Sequence, residues 1–234
     1  MWHKITISQF IELREVEQTS YDSKIEKIID IVSIVEDVDP AELEDLSFNE
    51  LYKRHNSFDW LLQEPPKIYR KEIGNYTIKE FNDLTLAEYI ELINFFQSDY
   101  IENLPNICGV LYRQSDVNKW GHIIIEPYEY NPTERAEHFK EIPVTHVFGI
   151  ISEFIKFKDD FENTYAPLFE PEFEKDEDYE PDEEDKLEEE KKKFSWEHFV
   201  YNLCEGDLTK SEKVLNLGLI FVFNMLAMRN TFGD

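Results

Sequence analysis

The stretch EPEFEKDEDYEPDEEDKLEEE, residues 170–190, divides the chain into a long amino-terminal part and a short, apolar carboxy-terminal part. It contains fourteen acidic residues and two lysines, so its net charge is −12 (2 − 14), out of −27 for the whole chain of 234 residues. Few of its residues are apolar and two are prolines, so burial cannot offset the entropy of ordering the segment. We therefore expect an extended or disordered acidic insertion.

Helical patterns fill most of the sequence on both sides of this insertion. Apolar residues recur at helical spacing, and only seven glycines are present, which is unfavourable for a turn-rich β fold. Capping-box pairs, a Ser or Thr followed three residues later by Gln or Glu, predict several helix starts. These pairs are Thr6 with Gln9, Ser23 with Glu26, Ser47 with Glu50, Thr85 with Glu88 and Thr209 with Glu212.

One segment has the pattern of a β-hairpin. Residues 68–73 and 76–81 are rich in strand-forming side chains and flank Gly74 and Asn75, a two-residue turn signal. Residues 120–125 are a further strand candidate. Because an isolated two-stranded hairpin is barely stable, we expect this one to lie on the helices or on a partner.

The predicted fold class is therefore mainly α: a multi-helix body with a small β-hairpin and an acidic insertion. We expect a helical body over 1–169 with the hairpin near 68–81, an acidic linker or insertion over 170–193, and carboxy-terminal helices over 194–234 that dock on the body.

Two helices have unusually broad apolar surfaces. Pro143 is expected to open the longest helix of the body, whose apolar stripe over 144–161 is either core or a partner groove. The last helix, predicted over 214–228, is apolar on nearly every side but shorter than the about twenty residues that span a bilayer. It is expected to be a core helix, covered by this body or by another subunit.

The charge restricts the classes of partner. A chain with pI near 4.5 is repelled by nucleic-acid phosphates and by anionic membranes, so we expect neither direct nucleic-acid binding nor membrane binding. A basic protein surface is compatible with this charge, and the acidic run is the candidate site for it. Its candidate partner-binding residues are Glu174, Asp176, Glu177, Asp178, Asp182, Glu183, Glu184 and Asp185.

No catalytic motif is recognisable, so we expect a non-enzymatic protein without a cofactor or a metal site. Glu134 and His138 lie four residues apart on a predicted helix, with His146 eight residues further on; this is either a metal-ligand set or an ordinary pair on a helix surface, and we favour the surface pair. Cys108 and Cys204 lack metal-site or redox spacing and are expected to be buried free thiols.

Three segments resemble small proteins of tailed-bacteriophage structural gene clusters, in particular tail-assembly chaperones. They are ITISQFIEL at 5–13 followed by KIEKIIDIVSIV at 24–35, ERAEHFKEIPVTHVFGIISEF at 134–154, and WEHFVYNLCEGDLTKSEKVLNLGL at 196–219. The resemblance covers about half of the chain and transfers no functional residue.

The resemblance implies a protein of virion assembly or structure that binds other phage structural proteins in the host cytoplasm or the virion, as a chaperone or as a head–tail connector or ring component. Those partners include proteins with basic surfaces, and oligomerisation is compatible with the role. The charge favours an alternative: an acidic inhibitor or nucleic-acid mimic that binds a basic protein.

Overall fold

The structure, a computed structural model, describes residues 1–128, 132–169 and 195–232. These residues are mainly α-helical and include one antiparallel sheet of four short strands, which confirms the predicted fold class for the described part of the chain. The predicted acidic insertion over 170–193 lies outside the described residues. The predicted division into 1–169, 170–193 and 194–234 therefore stays a prediction.

The described helices are α1 Ile7–Gln18, α2 Lys24–Glu36, α3 Pro40–Glu44, α4 Phe48–Asn56, α5 Leu86–Gln97, α6 Leu104–Leu111, α7 Pro132–Lys140, α8 Gly149–Thr164, α9 Ala166–Phe169, α10 Trp196–Leu203, α11 Ser211–Leu215 and α12 Leu219–Phe232. The strands are β1 Glu72–Ile73, β2 Tyr76–Ile78, β3 Tyr112–Val117 and β4 Ile123–Ile125. Short 3₁₀ turns occupy Trp2–Lys4, Asp59–Leu62, Phe81–Asp83, Val144–His146 and Leu208–Lys210. No helix within these ranges combines the length and the apolar character needed to cross a membrane.

Local capping signals fix several helix starts where the sequence predicts them. At the start of α1, the Thr6 side chain accepts a hydrogen bond from the Gln9 backbone N–H, and the Gln9 side chain accepts one from the Thr6 N–H at 3.0 Å. Ser47 with Glu50 forms the same box at α4. The box of Thr85 at α5 accounts for a buried acid, because the carboxylate of Glu88 accepts the Thr85 N–H at 2.7 Å.

Four predicted helix features are wrong. Pro143 precedes only a 3₁₀ turn, and α8 begins at Gly149 because the Gly149 N–H donates to Ile68 O at 2.8 Å instead of to Thr145 O within a helix. The helix predicted over 214–228 is interrupted after α11, and α12 begins only at Leu219. Thr209 does not form a capping box; its N–H instead donates to the side chain of Asp207. Ser23 does cap α2, but its side chain accepts the Ile25 N–H and forms no capping box with Glu26.

The predicted hairpin is confirmed and forms half of the sheet. Ile73 of β1 lies opposite Tyr76 of β2, and the two-residue turn between them contains Gly74 with a φ of 61°. The other edge of β2 pairs with β3, where Thr77 lies opposite Arg113. The edge of β2 that faces away from β1 is therefore occupied within the chain, and β3 pairs in turn with β4.

Contacts within the chain divide it into two compact units. The first unit comprises Met1–Lys79 and Asn94–Glu153, and the second comprises Glu80–Ile93 and Phe154–Asp234. The boundary crosses α5 after Ile93 and α8 after Glu153, so each of these helices contributes residues to both units.

The first unit has its main core around α1, α6 and the sheet. Ile7, Phe10 and Leu13 of α1 are buried, and the Ile7 N–H donates to Ile142 O at 3.0 Å. Phe10 meets Phe148 edge to face, with the ring centroids 5.5 Å apart. A smaller cluster lies between α2, α3 and α4, and its buried members are Val32, Leu43 and Leu51.

The second unit is built around aromatic side chains, and Phe223 of α12 lies at their centre without solvent exposure. Its ring centroid lies 4.8 Å from that of Phe161 and 5.3 Å from that of Phe199. Tyr165 and Phe169 contact the same ring at 5.3 and 5.4 Å. Offset and edge-to-face pairs of this kind contribute beyond the area that they bury, so α12 anchors the core of this unit.

Candidate protein-binding groove

The start of α12 is fixed by backbone hydrogen bonds to the residues around the start of α5. The Leu219 N–H donates to Leu84 O at 2.8 Å, and the Leu86 N–H donates to Leu217 O at 2.9 Å. These two bonds form an isolated antiparallel bridge at Gly218. The residues before Leu219 are therefore held extended, which ends the preceding helix and sets the direction in which α12 leaves.

One face of α12 is buried in the second unit. Leu219, Val222 and Phe223 are nearly or fully excluded from solvent. A polar residue of this helix, Asn224, is also satisfied, because its side-chain oxygen accepts the hydroxyl of Tyr165 at 2.8 Å. The sequence alone presents α12 as apolar all round, but the structure covers only this side of it.

The other face of α12 carries exposed apolar side chains. Phe221 is 57% exposed, Met225 51% and Met228 54%. Their spacing of four and three residues places all three on one side of the helix. Together they form an apolar stripe that, among the described residues, no part of the second unit covers; we call it the α12 stripe.

A groove of about 420 Å³ runs beside the α12 stripe. Leu203 at the end of α10, Val214 in α11 and Leu217 form its other wall. The charged residue of the lining is Arg229, and every other lining residue is apolar. The full lining comprises Leu203, Val214, Leu217, Phe221, Val222, Met225, Leu226, Met228 and Arg229.

Polar side chains hold the turn that positions Leu203 against α11. Asp207 accepts hydrogen bonds from the Thr209 N–H at 3.0 Å and from its hydroxyl at 2.7 Å, and these bonds lower the pKa of the Asp207 carboxyl. Lys210 donates to Glu205 at 2.9 Å, which lowers the pKa of the Glu205 carboxyl and raises that of Lys210. Both carboxylates therefore stay ionised, and this turn is polar while the groove beside it is apolar.

The chemistry of the groove suits protein recognition. A contiguous apolar surface left exposed typically marks a binding site, and an amphipathic helix is a frequent occupant of such a groove. Methionine adapts its shape because it is unbranched and has three rotatable bonds, and phenylalanine supplies a rigid anchor. Met225, Met228 and Phe221 combine these two properties on one helix.

The residues predicted for the acidic site lie outside the described residues, so their predicted role in partner binding stays a prediction. They are Glu174, Asp176, Glu177, Asp178, Asp182, Glu183, Glu184 and Asp185.

The sequence identified an apolar last helix but could not show which of its faces is exposed. The buried face is selected by contacts with residues distant in the sequence, such as Phe161.

The structure does not bring the candidate metal ligands together as a set of three. Within the described ranges, no group of three or more His, Cys, Asp and Glu side chains is placed to hold a metal ion. The ring of His138 instead stacks on that of Tyr76, with the centroids 4.8 Å apart. Cys108 and Cys204 are buried free thiols, as predicted, and burial raises the pKa of Cys108.

No protein-family model, no curated protein sequence and no solved structure matches the chain.

Proposed function

We propose that this chain is a non-enzymatic protein-binding factor and that the α12 stripe with its groove takes an apolar segment of another protein. The observation that carries the proposal is the exposure of Phe221, Met225 and Met228 beside an apolar groove. Each of these three side chains is about half exposed, so leaving it in water forgoes about half of the roughly 1.5–3 kcal/mol that complete burial of such a side chain contributes. A partner that covers them recovers that free energy.

The narrower proposal is a role in the assembly or the structure of a tailed-phage particle, either as a tail-assembly chaperone or as a head–tail connector or ring component. Its support is the sequence resemblance of residues 5–13, 24–35, 134–154 and 196–219 to proteins of phage structural gene clusters. An assembly chaperone needs an adaptable apolar surface for its client, and a connector component needs one for its neighbour. The α12 stripe is compatible with both.

The test is a tagged pull-down from the native lysate with one substitution in the groove and one outside it. Met225→Glu places a charge in the apolar groove, whereas Leu208→Glu changes a residue of the same unit that is 66% exposed and does not line the groove. The wild-type chain and the Leu208→Glu variant are expected to retain a capsid, tail or connector protein at high salt. Met225→Glu is expected to lose it, because burying an unpaired carboxylate is unfavourable.

Equal recovery of the partner with Met225→Glu and with the wild-type chain contradicts the proposed groove. If the gene lies outside any phage or prophage locus, the proposed phage role is contradicted, but the proposed protein binding by the groove is not.

The net charge of −27 favours a second function, that of an acidic inhibitor or nucleic-acid mimic. Salt distinguishes the two, because screening weakens charge pairing between exposed groups but not apolar burial. A bound DNA- or RNA-binding protein that washes off at high salt, and that Met225→Glu still retains, selects this second function and moves the binding site to the acidic run.

A further inference from the structure

The sheet of the first unit ends at β4, a strand of three isoleucines. The strand order is β1-β2-β3-β4, so among the residues that the structure describes β4 has a neighbouring strand on one side only. Ile123 is 50% exposed and Ile124 55%, and Val117, which lies opposite Ile123 on β3, is 69% exposed. The residues that line the α12 groove all belong to the second unit, so an inference about β4 does not rest on the proposed function.

The backbone of β4 presents hydrogen-bonding groups at this edge of the sheet. The Glu126 N–H donates to Gln114 O on β3 at 2.9 Å. Because the groups of an antiparallel strand point alternately to its two sides, those of Ile124 also face β3, whereas the N–H and C=O groups of Ile123 and Ile125 point away from it. Within the described part of the chain, no hydrogen bond is made to these four outward groups.

This edge has none of the features that usually prevent a free strand from pairing. Such features are charged side chains, a proline within the strand or a bulge, and Ile123–Ile125 contains neither a charge nor a proline and pairs regularly with β3. The nine residues 117–125 include no acid, although the chain has 51 acidic residues. Repulsion between two copies of a chain of net charge −27 is therefore locally weak at β4.

We propose that β4 pairs antiparallel with β4 of a second copy of this chain, about a two-fold axis at Ile124. In this register Ile123 lies opposite Ile125 of the second copy, and these are the residues whose backbone groups point outward. Each of the two symmetry-related pairs exchanges an N–H and a C=O in both directions. The axis therefore satisfies all the outward groups of both strands.

The side chains are self-complementary in the same register. Val117, Ile123 and Ile125 share one face of the sheet, because Val117 is directly opposite Ile123 and side chains alternate along a strand. The same three residues of the second copy continue this apolar row. His122 lies opposite Glu126 of the second copy, so an imidazole meets a carboxylate. A two-fold contact requires a surface that complements itself in this way, and this match identifies a second copy as the occupant.

The dimer is expected to be weak and to depend on salt. Two paired strands of three residues bury less than the roughly 1,200–2,000 Å² of a stable interface. The two acidic chains also repel each other over their whole surfaces. Since salt screens that repulsion, self-association is expected to become stronger as the salt concentration rises.

The first test is disulfide trapping of the full chain with an added oxidant. Ile124→Cys places its thiol opposite the same residue of the second copy, in a non-hydrogen-bonded pair whose Cα atoms are about 4.5 Å apart, within disulfide reach. The matched control is Val117→Cys, which is more exposed but lies on β3, so that two β4 strands separate it from its copy. The native Cys108 and Cys204 are buried. Ile124→Cys is expected to form a covalent dimer at least about tenfold faster than Val117→Cys.

The second test is analytical ultracentrifugation at rising protein concentration and at low and high salt. The mass of the wild-type chain is expected to rise above the 28.1 kDa of one copy, and to do so further at high salt. Ile124→Lys is expected to stay monomeric because it sets two ammonium groups opposite each other across the axis. The side chain of Ile124 is 55% exposed, so this substitution is expected to leave the fold intact.

Trapping of Ile124→Cys at the rate of Val117→Cys overturns the proposal, because random collision then explains it. Self-association that Ile124→Lys does not weaken also overturns it. A wild-type chain that stays monomeric, and that binds a different protein through an edge that Ile124→Lys blocks, overturns it in favour of a strand of that protein.

Discussion

Tyr89 carries a hydroxyl that is buried without a hydrogen-bond partner among the described residues. Its ring is held by Phe161, with the centroids 5.1 Å apart, and by Trp196 at 5.5 Å. The ring therefore stabilises the second unit, whereas the hydroxyl has lost its hydration and gained nothing in return.

Tyr89→Phe is expected to leave the free energy of unfolding unchanged or to raise it by about 1 kcal/mol, because it removes a polar group that is desolvated and unpaired. Chemical denaturation measures this difference. A loss of more than about 1 kcal/mol would mean that the hydroxyl does have a partner.

The same hydroxyl makes the free energy of unfolding depend on pH, and the shift of its pKa gives the direction of that dependence. Burial, followed by the charges of Glu162 and Asp159, raises the pKa of Tyr89 above its ordinary value of 10.0. The free energy of unfolding therefore does not depend on this group below about pH 10 and falls as the pH rises further, because only the unfolded chain then releases the proton. Tyr89→Phe is expected to lose less stability than the wild-type chain between pH 9 and pH 11.

Gly149 is required by a close approach of two backbone segments in the first unit. A Cβ at this position would lie 2.6 Å from the carbonyl carbon of Ile68, and the Gly149 N–H donates to Ile68 O at 2.8 Å. The neighbouring atoms belong to the backbone, so they cannot rotate away as a side chain can.

Gly149→Ala is expected to lower the free energy of unfolding by about 1–3 kcal/mol through overpacking. The control is Gly218→Ala at the start of α12, where the nearest atom to an added Cβ is 3.9 Å away and the effect is expected to stay within about 1 kcal/mol. Thermal or chemical unfolding measures both, and similar stabilities for the two variants would contradict the close approach.

At the scale of single elements, α12 has one buried face and one exposed face. Phe223→Ala is expected to cost about 3–5 kcal/mol of unfolding free energy, because it opens a cavity among the surrounding rings. Phe221→Ala removes the same side chain two residues away, at a position that is 57% exposed, and is expected to cost less than about 1 kcal/mol. Denaturation curves of the two variants provide the comparison, and equal losses would show that α12 is covered on both faces.

The features that the sequence predicts correctly are determined by residues that lie close together in the sequence. A capping box such as that of Thr6 and the hairpin turn at Gly74 are decided within a few positions, so their residue types indicate them. The errors arise where distant parts of the chain intervene. Ile68 O accepts the N–H of Gly149, and Leu84 O accepts that of Leu219, and each bond shifts a helix start.

The candidate sites show the same limit more strongly. The groove combines residues of α10, α11 and α12. No local pattern indicates that Leu203 and Met225 line one groove, since their proximity depends on how α10 and α12 pack. The sequence did identify the last helix as a surface that needs covering, but it could not identify the uncovered face.

At the scale of the whole molecule, the central claim is that the α12 stripe is where another protein binds. The chain contains three methionines, Met1, Met225 and Met228, and all are exposed in the structure. Peroxide converts an accessible methionine to its sulfoxide, which mass spectrometry locates. Two of these residues therefore report on the stripe, and Met1 serves as the internal control.

The most direct measurement is the oxidation of these methionines in the purified chain and in the complex isolated from the native lysate. All three are expected to oxidise in the purified chain, because each is at least half exposed. In the complex, Met225 and Met228 are expected to be protected while Met1 stays reactive. Oxidation of Met225 and Met228 in the complex at the rate seen in the purified chain would contradict the account, because the partner would then bind elsewhere.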